Sequence, residues 1–490
     1  MTSRIQRLTE QRLDSLKRLR ARGIDPYPHS YRPSHTVQDA RALFEQQGQK
    51  ALAVSLAGRI MSRRSMGKMS FFDIRDGTGK IQLSLRYDVL GKEKYELLED
   101  IDIGDIIGVE GKLFCTKTGE LTLEVSDFAL LCKSLRPLPE KWHGLADIEK
   151  RYRQRYLDLI TNEESKRIFT LRSRIIAAVR SFLDKQGFME VETPVLQPHA
   201  GGAMARPFVT HHEALDEDLY LRIALELHLK RLIVGGFDRV YEIGHAFRNE
   251  GISARHNPEF TLLECYQAYS AYQDMMQLVE GMFSYVTQEV LGSTRITYKG
   301  NAIDFGLRWQ KLSLREAIKN YSGIDFEDYP DADSLRRRMA DLGMEVDLKK
   351  GRGKLIEELI ATFVEPKLIQ PTFLLDYPVE TSPLAKRKRG NDRLVERFEG
   401  FVAGLEVANA FTELNDPVEQ RERFRQQLKE RVGDEEIEVG DEDFVQALEY
   451  GMPPTGGLGI GIDRLVMLLT NQQSIREVIL FPQLKGKSEA

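Results

Sequence analysis

A predicted β-hairpin in the middle of the chain combines side chains that bind phosphate with side chains that bind a cation. One extended run leads to Arg248, a loop follows, and a second extended run carries Glu264 and Tyr266. Because residues two apart in a strand share a face, the paired strands would present all three side chains on one surface. The loop adds Arg255 and His256, which are cations suited to a polyphosphate. The alternative, a buried ion pair between Arg248 and Glu264, leaves the loop cations and the tyrosine without a role.

A second predicted hairpin, in residues 397–413, is rich in acidic side chains. If it is symmetrical about residues 402–404, Glu399 and Glu406 lie opposite each other. Facing carboxylates repel unless a cation lies between them, and oxygen ligands of this kind suit Mg²⁺ bound to phosphates. Residues beyond this pair would share one face and extend the acidic surface: Asn409, Phe411 and Glu413. The alternative is that these are surface acids with no ligand.

The third pattern is a glycine-rich strand, residues 456–461, that leads into an apolar helix with Arg464 near its start. A strand without Cβ atoms lets another backbone or a flat ring approach closely, although a tightly packed core strand also explains alternating glycines. The sequence contains no GxxxxGK[ST] motif and no HExxH motif. His211 and His212 are adjacent, so they would point to opposite sides of a strand. The sequence therefore has no P-loop and does not favour a histidine-based metal site.

Composition limits the class of protein. The chain has 490 residues, of which 41% are hydrophobic and 30% charged, which is typical of a soluble globular protein of two to four domains. Its net charge of −5 excludes binding of nucleic acid by bulk positive charge, so any such contact must be local. Three cysteines without CxxC spacing, no apolar leader and no long apolar run predict a cytoplasmic protein without a membrane span.

The elements that precede the hairpins change from helix to strand. Leucines at helical spacing predict a helical extension within residues 1–50. In residues 51–135 apolar and polar residues alternate in about five short strands, which is typical of a small Greek-key barrel of the OB type. Cations and aromatic residues follow one another between the first two strands: Arg59, Arg63, Arg64, Lys68, Phe71 and Phe72. This pattern fits stacking of single-stranded nucleic acid as well as it fits a merely soluble basic hairpin.

A proline-containing segment, residues 136–150, predicts a linker to a large second domain, residues 151–490. A helix closed by glycine then leads to a strand over residues 188–195. Pro194 marks this strand as an edge or an interface, because proline cannot donate a ladder hydrogen bond. Helical patterns alternate with loops near residues 292–370, which predicts a mainly helical insertion.

Taken together and in this order, these segments resemble the class II aminoacyl-tRNA synthetases, most closely the bacterial lysyl-tRNA synthetases. Residues 187–194 look like the first class motif, residues 247–260 like the second and residues 459–464 like the third. The resemblance covers nearly the whole chain, including the segments at 117–120, 151–159 and 201–208. It implies an α+β fold: an antiparallel catalytic sheet of six to seven strands flanked by helices, preceded by an N-terminal OB barrel that reads the anticodon. It also implies a homodimer joined through the first motif.

The resemblance implies a lysine–tRNA ligase that uses ATP and Mg²⁺ and charges tRNA(Lys). Arg248 and Arg464 would be the catalytic residues, and Glu399 and Glu406 the Mg²⁺ ligands. The nucleotide would be bound by Arg248, Glu250, His256, Asn257, Phe260, Glu399 and Arg464. The lysine pocket would comprise Gly202, Glu226, Glu264, Tyr266, Asn409, Phe411 and Glu413. The candidates for anticodon contact are Arg64, Phe71 and Gln82.

The acidic pocket accounts for this substrate. Three buried carboxylates without matching cations would be strongly destabilising unless the ligand brings positive charge, and lysine brings two ammonium groups. Three positions depart from the usual family pattern: Leu225 replaces proline, His228 replaces tyrosine or glutamine, and Ala410 replaces glycine. Two rival hypotheses are a relative that attaches lysine-like groups to a protein and a non-catalytic RNA-binding protein. The first lacks the N-terminal barrel, and the second predicts decayed motifs.

Overall fold

The structure is a computed structural model, and it describes residues 4–47, 52–139, 147–199, 201–203, 205–430 and 441–486. The chain divides into two compact units, residues 1–145 and residues 146–490. The predicted linker spans this boundary, and its residues 140–146 lie outside the described residues, as do both ends of the predicted N-terminal extension. Among the described helices, none is long and apolar enough to cross a membrane.

The first unit is a closed five-stranded barrel preceded by two helices, with a third helix between its strands. Its helices are α1 (Arg4–Ala21), α2 (Val37–Gln47) and α3 (Tyr87–Glu96), and its strands are β1 (Ala53–Met66), β2 (Met69–Arg75), β3 (Lys80–Arg86), β4 (Ile106–Cys115) and β5 (Leu121–Cys132). The strand order is β1-β2-β3-β5-β4. Apolar and polar residues alternate in β2 because successive side chains face opposite sides of the strand. Phe72 and Ile74 are fully buried in the barrel, whereas Phe71 and Asp73 face outward. The predicted OB barrel is confirmed.

Helix α1 packs on the barrel and uses two of its cations for this contact. Arg12 donates to the carbonyl oxygen of Ile103 at 2.7 Å, and Arg18 donates to Asp100 at 2.8 Å. Leu19 is fully buried beneath them. These two arginines therefore have a structural role, which favours the interpretation of α1 as a packed amphipathic helix.

The second unit combines one large sheet with helices and two small sheets. Its helices are α4 (Ile148–Arg153), α5 (Arg155–Thr161), α6 (Glu163–Lys185), α7 (Glu226–Val234), α8 (Tyr272–Leu291), α9 (Leu314–Ser322), α10 (Ala332–Asp341), α11 (Arg352–Leu359), α12 (Pro417–Glu430), α13 (Glu442–Glu449), α14 (Ile462–Leu469) and α15 (Ile475–Val478). Its strands are β6 (Met189–Glu190), β7 (Leu196–Gln197), β8 (Val209–His212), β9 (Glu217–Leu221), β10 (Arg239–Phe247), β11 (Glu259–Ala268), β12 (Arg295–Tyr298), β13 (Asn301–Asp304), β14 (Gln310–Ser313), β15 (Thr372–Pro378), β16 (Arg387–Lys388), β17 (Asn391–Val402), β18 (Leu405–Thr412) and β19 (Thr455–Gly461).

The large sheet has the order β14-β15-β17-β18-β19-β11-β10-β6, with β16 paired to β17. It is mainly antiparallel, as predicted, but has nine strands in the described residues instead of six to seven. The additional strands are short segments that join the edges: β6, β14 and β16 have two, four and two residues. Helices α6, α8 and α14 cover one face of the sheet and form the main core with it. The opposite face is left for the functional site.

The strand predicted over residues 188–195 is mostly wrong. Only Met189–Glu190 forms a strand, which pairs in parallel with β10 at the sheet edge. Leu196–Gln197 joins β9 in a separate small sheet. Pro194 lies between the two pieces, where its missing N–H would break a continuous ladder. The edge position was expected from this proline.

The register predicted for the acidic hairpin is also wrong. The turn lies one residue later than assumed, because Val402 pairs with Leu405 and the turn residues Ala403 and Gly404 both have positive φ. A bulge then shifts the pairing between Gly400 and Phe401. As a result Glu399 pairs with Asn409, and Glu406 pairs with Phe401. The bulge inserts one extra residue, so Glu406 and Asn409, which are of opposite parity in the sequence, face the same side of the sheet.

Residues 292–370 are not a separate helical body. They contain helices α9 to α11, but also the hairpin β12–β13 and strand β14, which pairs in parallel with β15. The segment is therefore joined to the large sheet through its own strand.

Candidate active site

The face of the large sheet opposite α6, α8 and α14 is partly covered by α7 and α13 and carries a cavity of about 560 Å³. Strand β19 forms its floor between β11 and β18. Two rows of paired residues cross these three strands: Glu264–Gly459–Asn409 and Tyr266–Gly457–Phe411. Glycines at the centre of each row leave a trough between side chains from β11 and side chains from β18. The two explanations given for the alternating glycines, tight packing and close approach of another group, therefore have to be examined at each glycine separately.

The two central glycines have different surroundings. A Cβ atom on Gly457 would overlap the carboxylate of Glu413 and lie 2.6 Å from the ring of Tyr266. A Cβ atom on Gly459 would have no neighbour nearer than 3.8 Å. Gly457 thus permits close packing of Glu413 and Tyr266, whereas Gly459 borders open space in the cleft.

Arg248 lies directly after β10, and its backbone continues the hairpin by donating to Pro258 at 2.8 Å. Its guanidinium stacks 5.1 Å from the centre of the Phe260 ring and donates to Ile223 at 3.3 Å. Removal from water lowers the pKa of Arg248. In the described part of the chain no carboxylate forms an ion pair with it, so the alternative of a buried Arg248–Glu264 pair is wrong. Among the described residues, Arg248 is therefore a largely buried cation without an ion-pair partner.

Arg464 lies in the first turn of α14 and reaches back across the cleft to β18. It donates to the carbonyl oxygen of Glu406 at 2.7 Å and to its carboxylate at 3.0 Å. Two other predicted nucleotide residues, Glu250 and His256, are exposed at the rim of the same cavity. The hairpin, its loop and the helix after the glycine-rich strand therefore bring Arg248, Glu250, His256 and Arg464 to the same cavity.

Asn257 differs from the other predicted nucleotide residues, because both ends of its amide side chain are hydrogen-bonded to backbone groups of the protein. Its amide nitrogen donates to Glu259 at 2.6 Å, and its amide oxygen accepts from Gln483 at 3.2 Å. It holds the end of the loop against the C-terminal segment.

Glu399 and Glu406 each have a cation from the chain. Arg397 donates to Glu399 at 2.5 Å, and Tyr377 donates to its other oxygen at 2.7 Å. Burial raises the pKa of Glu399 to about 7, although Arg397 opposes this change. Sequence reasoning gave Arg397 no role, although its spacing of two residues from Glu399 places both on one strand face.

The fit of these acids to Mg²⁺ depends on how the metal is bound. In the described residues no group of three or more His, Cys, Asp or Glu side chains could hold a metal ion. Mg²⁺ usually keeps several waters and takes only one or two carboxylates together with substrate phosphates. Glu399 and Glu406 therefore fit an ion that binds together with a polyphosphate, and do not fit a metal cage made by the protein alone.

The other end of the cleft contains the three predicted carboxylates Glu226, Glu264 and Glu413, all buried. Glu264 accepts hydrogen bonds from the amide of Leu225 and from the hydroxyl of Tyr266, each at 3.1 Å. Both donors are neutral. Burial, assisted by Glu226, raises the pKa of Glu264 to about 7.

Sequence reasoning missed Lys230, which changes the charge of this pocket. Lys230 is fully buried and forms ion pairs with Glu226, at 2.5 Å, and with Glu413. Among the described residues the three carboxylates therefore have one internal ammonium between them, which the expectation had not included and which is still fewer cations than carboxylates. Glu226 and Lys230 are four residues apart on α7, and this spacing could have indicated the pair.

The remaining predicted pocket residues also line the cavity. Gly202 has φ of +88°, and a Cβ atom there would lie 3.1 Å from that of Ala224, so the position favours glycine. The amide oxygen of Asn409 accepts from Arg397 at 3.2 Å, and the Phe411 ring lies 5.5 Å from that guanidinium. Arg397 therefore touches residues at both ends of the cleft.

The three departures from the family pattern have little effect on the shape of the pocket. Ala410 is buried in the core on the opposite face of the sheet. His228 lies outside the cavity lining, 3.3 Å from the amide of Gln197. Leu225 is a core residue, but its backbone N–H, which a proline would lack, donates to Glu264.

On the barrel, the three anticodon candidates lie close together on its outer surface. Arg64 pairs with Phe71 across β1 and β2, and Gln82 lies on β3 opposite Asp73. Arg64 is exposed, whereas neighbouring Arg63 is used by the chain, since it donates to Leu98 at 2.8 Å. Alternation therefore leaves one cation and one aromatic ring facing outward at this point.

Known proteins match both units. Residues 147–485 match the family of class II tRNA synthetases (D, K and N), and residues 54–131 match the OB-fold nucleic acid binding domain. A lysine–tRNA ligase of Dehalococcoides mccartyi is 58% identical over 98% of both chains. Those of Moorella thermoacetica and Carboxydothermus hydrogenoformans are 58% and 54% identical, each over 98% of both chains. A cleft lined by carboxylates and arginines on a mainly antiparallel sheet, an OB barrel earlier in the sequence and these matches together show that the chain belongs to the class II aminoacyl-tRNA synthetases of the D, K and N group.

Proposed function

We propose that this chain is a lysine–tRNA ligase, which activates L-lysine with ATP and transfers it to tRNA(Lys). The observation that carries this proposal is the charge of the cleft. One end holds three buried carboxylates and a single internal ammonium, and the other end holds Arg248 and Arg464. A ligand with two ammonium groups would bind at the acidic end, with its carboxylate directed towards a polyphosphate at the basic end.

The first step needs no nucleophile from the protein. The carboxylate of lysine attacks the α-phosphorus of ATP, a phosphoanhydride bond breaks, and pyrophosphate leaves with the electron pair. Lysyl-adenylate is the product. Catalysis then consists of positioning the two substrates and neutralising the charge that develops on the phosphates. Arg248, which has no carboxylate partner among the described residues, is suited to the α-phosphate, and Arg464 to the far end of the triphosphate.

Glu399 and Glu406 would hold Mg²⁺ together with the phosphates of ATP. Bound there, the ion would neutralise phosphate charge. The position of both acids in the cavity lining supports this assignment, because carboxylate oxygens are ligands that Mg²⁺ takes together with substrate phosphates.

In the second step a terminal ribose hydroxyl of tRNA attacks the carbonyl carbon of lysyl-adenylate, and AMP leaves. From the family resemblance, we expect the ester to form on the 3′-hydroxyl. We expect the outer surface of the barrel, with Arg64, Phe71 and Gln82, to bind the anticodon. Exposure of Arg64 next to the ring of Phe71 supports this role, because backbone charge and base stacking are the two components of single-strand binding.

Two further expectations belong to this proposal. A homodimer through the first motif is supported by exposed apolar side chains in and directly after that segment, at Met189, Val195 and Leu196. Light scattering should give twice the mass of one chain, and a monomer at micromolar concentration would contradict it. A reducing cytoplasm suits the three free cysteines.

The function is tested by exchange of labelled pyrophosphate into ATP with each of the twenty amino acids in turn. We expect exchange that depends on lysine and on Mg²⁺. Stronger exchange with another amino acid, or none with lysine, would contradict the proposal. Charging of tRNA(Lys) then separates a tRNA ligase from a relative that modifies protein.

A further inference from the structure

Lys230 is a buried ammonium in direct contact with two of the carboxylates proposed to bind the substrate. It extends from α7 and is fully inaccessible to solvent. It pairs with Glu226 at 2.5 Å and also with Glu413, and lies 5.9 Å from the centre of the Tyr266 ring and of the Phe444 ring. Burial opposes its charge, but the two carboxylates outweigh burial and raise the pKa of Lys230.

The net charge of the acidic end follows from three carboxylates and one ammonium. Glu226, Glu264 and Glu413 contribute three negative charges when ionised, and Lys230 contributes one positive charge. The third carboxylate, Glu264, receives hydrogen bonds only from neutral donors among the described residues. Two negative charges therefore remain for the ligand, which equals the number of ammonium groups on L-lysine.

Without Lys230 this balance would be lost. Glu226 and Glu413 would face each other in a buried site with no cation between them, and one of the two would take up a proton. A protonated carboxyl group attracts an ammonium group much less strongly than a carboxylate does. It would also accept a neutral ligand end at a lower desolvation penalty.

We propose that Lys230 is a specificity-determining residue of the amino-acid site. This inference rests on the proposed function and extends it. Lys230 pairs with Glu226 and Glu413 and favours their ionised forms, so that both carboxylates can carry charge when a ligand with two ammonium groups is bound. Burial raises the pKa of Glu413 to about 8, and Lys230 opposes this rise. Lys230 acts through these carboxylates, and for this reason it is a positioning residue.

The test compares lysine with L-norleucine, which has the same carbon chain but lacks the side-chain ammonium. Pyrophosphate exchange gives kcat/KM for each amino acid, and their ratio measures discrimination. Lys230→Met removes the charge at similar length, Lys230→Gln removes it but keeps a hydrogen-bond donor, and Lys230→Arg keeps it. Thermal unfolding shows which variants are folded.

We expect Lys230→Met and Lys230→Gln to lower the lysine-to-norleucine ratio at least tenfold while KM for ATP stays within threefold of the unaltered protein. Lys230→Arg should retain more of the ratio than either neutral variant. A merely structural lysine would give equal loss for both amino acids and for ATP, and that result in either folded neutral variant would overturn the inference. The inference would also be overturned if Lys230→Arg lowered the lysine-to-norleucine ratio as much as Lys230→Met does.

The same experiment separates this inference from the proposed function. No lysine-dependent exchange by the unaltered protein would sink the proposed function. Lysine-dependent exchange with unchanged discrimination in the neutral variants would sink only the role of Lys230.

Discussion

Glu264 is a buried carboxylate whose ionisation opposes folding in the absence of a ligand. Its pKa is raised to about 7, first by burial and then by Glu226. The folded chain therefore binds a proton at this group between the ordinary carboxyl pKa and about 7, and the stability associated with this proton is lost as the pH rises through that range. Bound lysine would supply the missing cation.

Removal of this charge should affect one substrate only. Glu264→Gln should raise KM for lysine at least tenfold, because a charge-assisted hydrogen bond contributes about 1.5–3 kcal/mol. KM for ATP should change less than threefold. Glu259→Gln, on the exposed start of the same strand, is the matched control and should leave both values unchanged. Equal weakening of lysine and ATP in Glu264→Gln would contradict the pocket role.

The raised pKa also predicts how lysine binding depends on pH. At pH 6 the ligand must displace a proton from Glu264, whereas at pH 8 the carboxylate is already ionised. Lysine should therefore raise the unfolding temperature more at pH 8 than at pH 6, as calorimetry can measure. The difference should shrink in Glu264→Gln, and a pH-independent shift in the unaltered protein would argue against this account.

The backbone N–H of Leu225 assists ionisation of Glu264, to which it donates at 3.1 Å. Leu225→Pro removes this N–H, and proline is tolerated at the start of a helix. Leu225→Ala keeps the N–H but loses core packing. We expect the proline variant to raise KM for lysine a few-fold at pH 7, and the alanine variant to reduce stability by about 2–5 kcal/mol with little change in KM. If the KM values of the two variants rise together, the hydrogen bond is not the cause.

At the scale of elements, the cleft depends on which side chains the strands place on one face. Alternation predicted β10, β11 and the outward face of the barrel, because a period of two is a property of each strand alone. The register of β17 and β18 could not be predicted in this way, because it depends on the position of the turn and on a bulge. Both central residues of the turn have positive φ, and one of them is Ala403, a residue type that does not indicate positive φ in a sequence.

The alternating glycines of β19 allow a matched comparison at this scale. Gly457→Ala would push a methyl group into Glu413 and Tyr266, whereas Gly459→Ala meets no atom within 3.8 Å. We expect the first change to reduce stability by about 1–3 kcal/mol and to weaken lysine binding. The second should unfold at nearly the same temperature as the unaltered chain. Equal unfolding temperatures for both variants would contradict the packing described for Gly457.

At the scale of the whole molecule, the two units should contribute to different steps. We expect the double variant Arg64→Ala with Phe71→Ala to raise KM for tRNA at least tenfold and to leave pyrophosphate exchange unchanged, since stacking contributes about 1–3 kcal/mol per base. Lys112→Ala with Phe114→Ala removes an exposed cation and ring from β4 and serves as the control. If the control pair weakens tRNA binding as much, the anticodon surface has been misplaced.

The sequence predicted this division of the chain and the residues at the basic end of the cleft, because strand periodicity and short motifs are local features. It did not predict the partners of those residues. Arg397 and Glu399 lie two residues apart on β17, and Glu226 and Lys230 lie four residues apart on α7, so these two pairs are local and their spacing could have indicated them. The contact of Lys230 with Glu413 joins residues far apart in the sequence, so only tertiary packing brings this ammonium between the two carboxylates.

The most direct test of the account is a crystal structure with L-lysine and a non-hydrolysable ATP analogue. We expect both nitrogens of lysine to lie about 3 Å from carboxylate oxygens of Glu226, Glu264 or Glu413, with its carboxylate directed towards Arg248 and the α-phosphate. A lysine whose side-chain nitrogen lies in solvent or against Glu399 and Glu406 would contradict the account.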